Sequence, residues 1–340
     1  MDKPNIAIIG AGAWGFNHVR TFAALEECTL SHVSDSSSAV LKKIKKHFPS
    51  IKITENPDEI FHESSIDAIV VASPASTHYE LARKSLETGK DVLVEKPLTI
   101  DVKEAESLLE IAEKRKLIGM VGHLLLYHPA IDYLKQLISR GDLGNLYYLY
   151  SRRLNLGKIR SNEDAIWSFA PHDISMMLYL TDSFPISVSA NGKAFIQNEI
   201  IDLGFFYLEF PNKVVGQGHV SWLDPHKVRL LTVVGSKKMV VFDDTESGEK
   251  IRIYDKGIDF SYNYDSYGEA INIRSGDLYI PKINPAEPLK IEALHFIKCI
   301  KDRSKPLSDF NSGVKVVRIL NALSISVKKK GEPISIKDLI

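Results

Sequence analysis

The sequence predicts an α/β protein in two parts. The first is a doubly wound domain on a parallel sheet. The second is an α/β domain built on a large, mostly antiparallel open sheet. Three observations lead there. Over the first third, short apolar runs alternate with helical patterns, the signature of βαβ units. A glycine-rich turn, Gly10-Ala11-Gly12-Ala13-Trp14-Gly15, joins the first run to the first helix. From about Ile186, a period of two and turn dipeptides replace that pattern.

In order, residues 5–9 form a buried strand and 14–26 a helix with Val19, Phe22, Ala23 and Leu25 on its apolar face. Strand 29–33 and helix 36–47 follow, then strand 67–72 and helix 76–88, stopped by Gly89. Strand 91–94, helix 101–116 with Asp101 as its N-cap, and strand 117–121 close the set. Beyond Gly122 come helix 129–140, strand 146–154 and helix 171–180, which would begin at Pro171. Runs 205–210, 214–222, 228–234 and 239–242 are separated by turns at Pro211-Asn212 and Gly235-Ser236, and read as strands of one sheet with a buried face. Residues 256–288 read as an irregular loop rich in Tyr, Gly and Pro, and helices at 290–301 and 312–329 end the chain. The expected division is a dinucleotide-binding domain at 1–122 and a substrate-binding and oligomerisation domain at 123–340.

Bulk composition narrows the function. The 340 residues suit two domains, and 44% hydrophobic with 25% charged residues fits a folded protein. With 43 basic and 43 acidic residues, no global field draws in nucleic acid or anionic membrane. The run Lys42-Lys43-Ile44-Lys45-Lys46 falls on a helix and reads as its solvated face. Cys28 and Cys299 make neither a disulfide framework nor a metal spacing, so no metal and a cytoplasmic location are expected. The apolar stretch after Lys3 is broken by Gly10, Gly12 and Gly15 and reads as a nucleotide turn rather than a leader.

The glycine turn follows a strand, opens a helix and precedes Asp35 at the end of the second strand. That context is the Rossmann fingerprint. Gly10 permits the turn, Gly12 admits the pyrophosphate and Gly15 lets helix and strand pack, with Ala13 and Trp14 between them. The free N–H groups of the helix end face the phosphates. Asp35 would accept the ribose hydroxyls, with Ser36 beside it. Its carboxylate repels a 2′-phosphate and no Arg follows, so NAD is expected over NADP. Flavin and S-adenosylmethionine enzymes share such turns.

Two further segments stand at strand carboxyl ends: Ser73-Pro74-Ala75-Ser76-Thr77-His78 and Glu95-Lys96-Pro97. With the glycine turn, Gly122-His123, His128-Pro129-Ala130 and Ala170-Pro171-His172-Asp173-Ile174, they resemble the glucose–fructose oxidoreductase/inositol dehydrogenase/MocA family of sugar dehydrogenases over nearly the whole chain. The resemblance implies that Ser73, Pro74, His78, Glu95, Lys96 and His123 line the cofactor. It implies that Lys96 reaches both nicotinamide and substrate, that His172 is the acid/base, and that the large sheet forms a homodimer or homotetramer. Oxidising a hydroxyl needs a base for the O–H proton, and Lys96 can stabilise the developing alkoxide. At the start of a helix, His172 would be kept neutral by the dipole.

One position departs from the family. Where many members carry Asp, or Asn in some nucleotide-sugar members, four residues before this His, this chain has Ser168. Residues 155–173 look like the nucleotide-sugar, UDP-N-acetylglucosamine 3-dehydrogenase-like members, in which C3 is oxidised. On that likeness Asn155, Arg160, Trp167, Ser168 and Tyr127 join Lys96 and His172 as substrate-binding candidates. Arg160 suits a diphosphate, and Tyr127 and Trp167 could stack on a sugar or base. Alternatives are an inositol or other sugar dehydrogenase or ketoreductase of the same family, and an NAD-binding regulator without turnover.

Overall fold

The computed structural model describes residues 3–157, 159–161, 163–260 and 271–336. In chain order the elements begin with β1 (Asn5–Ile9), α1 (Gly15–Ala23), β2 (Thr29–Ser34), α2 (Ser38–His47), β3 (Lys52–Thr54), α3 (Asp58–His62), β4 (Ala68–Val71) and α4 (His78–Glu87). Next come β5 (Asp91–Glu95), α5 (Val102–Arg115), β6 (Gly119–Gly122), α6 (Pro129–Ser139), β7 (Leu146–Leu154), α7 (Ala165–Thr181), β8 (Ser187–Lys193), β9 (Leu203–Glu209) and β10 (Val215–Ser221). The chain continues through β11 (Val228–Gly235), β12 (Met239–Asp243), β13 (Ile251–Phe260), β14 (Ile271–Tyr279), α8 (Pro288–Asp302), α9 (Phe310–Lys328) and β15 (Ile334–Ser335).

Backbone contacts define two compact units, one of residues up to Tyr127 with Ala286–Arg318, the other of His128–Pro285 with residues from Ile319 onward. In the first unit six parallel strands run in the order β3-β2-β1-β4-β5-β6. Strands β4 and β5 are buried along their whole length, as a sheet covered on both faces requires. Strand β3 and helix α3 were not anticipated; they are three and five residues long, too short to show a period.

The division at residue 122 needs correction, because Ala286–Arg318 returns to the first unit. Three links hold it there. The Val121 N–H donates to the Ser308 carbonyl at 2.7 Å, and the Ser308 hydroxyl donates back to the Val121 carbonyl at 2.6 Å. Arg303 pairs with the buried Asp91, and Arg318 donates twice to Glu106, at 2.6 and 3.1 Å.

The second unit is built on nine strands in the order β14-β13-β12-β11-β7-β10-β9-β8-β15. Every pair is antiparallel except β7 with β10. Strict alternation in β9 buries Gly204, Phe206 and Leu208 and turns Phe205 and Tyr207 outward. The outward side is aromatic: Phe205 stacks on His219 at 4.3 Å, and Tyr148 lies against Tyr150. Residues 256–288 are not an irregular loop. The chain there forms the second half of β13, then β14, paired antiparallel; residues 261–270 lie outside the described residues. Lys, Asp and Arg on these strands obscured the alternation. Among the described residues no helix is long and apolar enough to cross a membrane, and no cluster of His, Cys, Asp and Glu could hold a metal.

Candidate active site

Strands β1, β4 and β5 are neighbours in the sheet, so the segments leaving their carboxyl ends stand side by side. Leaving β1, Gly10 has φ +92°, and a Cβ at Gly15 would lie 2.1 Å from the Gly10 carbonyl oxygen; both positions require glycine. At Gly12 a Cβ would meet nothing within 4 Å, so the turn is open where a pyrophosphate would approach. No acidic residue occupies the first turn of α1, whose N-terminus is therefore suited to an anion. Asp35 spans the turn. One carboxylate oxygen accepts the Ala11 N–H at 2.7 Å and the other the Ser37 N–H at 2.9 Å, while lone pairs remain for two hydroxyls. Ser36 beside it is exposed. These groups fit a dinucleotide.

At the end of β5, Glu95 is the hub. Oε1 accepts the Trp14 indole N–H at 2.5 Å and lies 2.7 Å from His18 Nε2; Oε2 accepts the Lys96 N–H at 3.1 Å. Burial opposes its charge, but His18, Trp14 and the Lys96 ammonium outweigh burial and hold the carboxyl below its ordinary range. Lys96 is half-buried, and its bond to Pro97 is cis. His123, after β6, is 1% exposed, and neither ring nitrogen has a hydrogen-bond partner among the described residues. Burial pushes its imidazole down to about 4.

Leaving β4, the Ser73 hydroxyl meets that of Thr77 at 2.6 Å, and Pro74 is exposed. His78 does not line a cofactor surface. It is buried, with Nδ1 2.8 Å from the Pro97 carbonyl and Nε2 2.9 Å from the Ser73 carbonyl, and so ties the two loops together. Tyr127 is not a stacking surface either. It is buried in the first unit, its hydroxyl 2.7 Å from Ser308 Oγ.

The second unit carries the remaining candidates, and α7 changes their reading. This helix starts at Ala165, capped by Asp164, which accepts the Trp167 N–H at 2.9 Å. Pro171 therefore lies inside the helix, and His172 is not in the first turn. The positive end of the helix dipole, at Ala165, therefore does not act on the His172 imidazole. Pro171 costs one N–H inside the helix, which burial of most of its length offsets. In return, Ser168 and His172 stand four residues apart on one face. Asp173 points elsewhere. It is buried and takes three hydrogen bonds from the equally buried Arg153, at 3.0 to 3.3 Å. Burial raises its carboxyl, with the Arg153 guanidinium pulling the other way.

Trp167 donates its indole N–H to Ser324 Oγ at 2.9 Å, so that edge is committed to packing on α9. Arg160 is exposed and paired with Glu163 at 2.6 Å, which partly neutralises it as a diphosphate ligand. Asn155 is half-buried, its N–H donated to the Ser221 carbonyl. His18, Glu292 and Arg153 were missed by sequence reasoning; none sits in a recognisable motif.

A parallel doubly wound sheet with an open glycine turn and an acidic residue at β2 defines a dinucleotide-binding oxidoreductase fold, joined here to a second α/β unit. The chain belongs to the Gfo/Idh/MocA family. Residues 4–123 match the model described as "Oxidoreductase family, NAD-binding Rossmann fold", and residues 131–241 match that of the GFO/IDH/MocA C-terminal domain. Over 203 residues the chain is 32% identical to UDP-N-acetylglucosamine 3-dehydrogenase of Acidithiobacillus ferrooxidans, a match that spans 58% of this chain and 61% of that protein's length. It is 24% identical to scyllo-inositol 2-dehydrogenase (NAD(+)) of Bacillus subtilis over 88% of this chain and 87% of that one. The solved structure of the Acidithiobacillus ferrooxidans enzyme superposes with a TM-score of 0.81 at 24% identity, covering 97% of this chain and 99% of that one. At that identity the superposition shows the fold.

Proposed function

We propose that the protein is an NAD-dependent dehydrogenase that oxidises a sugar hydroxyl to a ketone, at C3 of a nucleotide sugar such as UDP-N-acetylglucosamine. What supports this most is the gathering of the glycine turn, Ser73-Pro74 and Glu95-Lys96-Pro97 at the adjacent ends of β1, β4 and β5. The similarity to a UDP-N-acetylglucosamine 3-dehydrogenase supports the substrate. When bound, the nicotinamide supplies the hydride acceptor. Lys96 donates a hydrogen bond from its ammonium to the reacting oxygen and stabilises alkoxide character as the carbon gives up hydride. His172 takes the hydroxyl proton on a ring nitrogen. Ser168, one turn before it, brings no charge to His172 but can hydrogen-bond a sugar hydroxyl. Asn155 and Arg160 contribute to binding the nucleotide portion. Asp35, facing the ribose, selects NAD over NADP.

The two free cysteines, both buried, fit a cytoplasmic protein. The outward aromatic side of the nine-stranded sheet fits a homodimer or homotetramer, and a monomer at micromolar concentration by light scattering would refute that. A second reading, inositol dehydrogenase, is favoured by the scyllo-inositol 2-dehydrogenase similarity over most of both chains. The deciding experiment follows NADH absorbance with UDP-N-acetylglucosamine, UDP-glucose, myo-inositol and glucose in turn, with and without 2-oxoglutarate to recycle retained NADH. A signal with a UDP-sugar is expected. A signal with myo-inositol alone selects the second reading, and silence with NAD bound by calorimetry leaves a non-catalytic NAD-binding protein.

A further inference from the structure

A second carboxyl lies in the core of the first unit, outside every motif. Glu292, on α8, is 0% exposed, and neither of its oxygens has a hydrogen-bond partner among the described residues. Helix α8 packs on α1, which presents the buried His18, and on residues 124–127, which present Tyr127. Its strongest electrostatic neighbour is Glu95, at the end of β5. Glu95, by contrast, has partners: the Trp14 indole, His18 Nε2 and the Lys96 N–H. Lys96 and His123 complete the surroundings, each within electrostatic reach of Glu95. On α8 itself, His295 contacts Tyr127 and Cys299.

Two carboxylates buried in one cluster oppose each other's charge, and the one without donors keeps the proton. We propose that Glu292 and Glu95 form a one-proton carboxyl pair in which Glu292 carries the proton, and that neutral Glu292 is a positioning residue for Lys96. With Glu292 neutral, Glu95 is the single anion, and its oxygens fix the Lys96 N–H and the Trp14 ring beside the glycine turn. If Glu292 ionises, the repulsion pulls Glu95 from those donors and so loosens the Lys96 N–H that Glu95 fixes. Burial first, and Glu95 second, raise the Glu292 carboxyl well above its ordinary range, in the same direction. A carboxyl so raised contributes stability below its unfolded value and loses it as pH rises through the folded one.

The positioning role rests on the proposed reading of Lys96 as the active-site lysine; the proton does not. Infrared spectroscopy of the full-length protein near neutral pH tests the proton directly. The carbonyl stretch of a protonated carboxyl is expected in the wild type and absent from Glu292→Gln. A wild type without that band, or a band that survives the substitution, overturns the pair. Thermal unfolding against pH is the second measurement: the wild type should lose stability on the alkaline side, and Glu292→Gln should lose less. For positioning, the alkaline limb of kcat should move upward by about one pH unit or more in Glu292→Gln, a tenfold change in proton concentration. Superimposable limbs, with the infrared band confirmed, overturn the positioning role and leave Glu292 a structural acid. If no sugar is turned over, the function proposed above fails, while the infrared and unfolding results still decide the proton.

Discussion

Arg153 and Asp173 form a fully enclosed ion pair one residue away from His172, with both Nε and Nη2 of the arginine on the carboxylate. Strand β7 thereby grips α7 at the turn that carries His172. Removing one partner strands the other charge in the interior, which costs about 3–5 kcal/mol. Arg153→Met should therefore show a large drop in the urea midpoint, and the double variant Arg153→Met with Asp173→Leu should recover most of it. A single variant within about 1 kcal/mol of wild type by the same measurement would show that the pair does not anchor the helix.

Lys96→Ala should fold and still bind NAD by calorimetry, because the bond from the Lys96 N–H to Glu95 is a backbone bond that alanine keeps. Its turnover should fall about a hundred- to ten-thousand-fold. Wild-type rates in that variant would end the catalytic assignment.

Asp35 holds the turn with one oxygen and Ser37 with the other. Asp35→Ala should weaken NAD about 10- to 100-fold, the worth of one hydrogen bond to a charged group. NADP should lose less or gain, since the repulsion of its 2′-phosphate is removed. Calorimetric titration with both cofactors checks this, and a selective loss of NADP would reverse the cofactor assignment.

His123 sets an acid limit on stability. Its folded value, about 4, lies below the ordinary 6.5, so the neutral ring's contribution is present above 6.5 and lost as pH falls toward 4. The full difference is on the order of 3 kcal/mol. His123→Phe keeps the apolar volume and cannot titrate, so its unfolding free energy should fall less than that of the wild type over this interval. Parallel acid curves for the two proteins would place the acid sensitivity elsewhere.

The first unit was legible because its information is local. Gly10, Gly15 and Asp35 act through spacing along the chain, and the apolar runs of β4 and β5 declare strands buried on both faces. What was missed depends on packing. Pro171 has the chemistry of a helix start, yet Asp164 caps the helix seven residues earlier and burial carries the chain through the proline. His78, Tyr127 and Trp167 are types that bind ligands, but their polar atoms are taken by Pro97, Ser308 and Ser324. Those partners lie 19, 181 and 157 positions away, beyond any periodicity. Glu292 enters the core of the first unit in the same way, through α8 packing on α1.

The return of Ala286–Arg318 to the first unit bears on how the chain is made. During synthesis the nucleotide-binding sheet leaves the ribosome early, but Asp91 and Glu106 receive Arg303 and Arg318 only when most of the polypeptide has emerged. The whole of β7 to β14 is translated in that interval. A nascent first unit must therefore wait, with the surface that α8 will cover still exposed to water, and an expression fragment ending near Tyr127 would carry that same unfinished face.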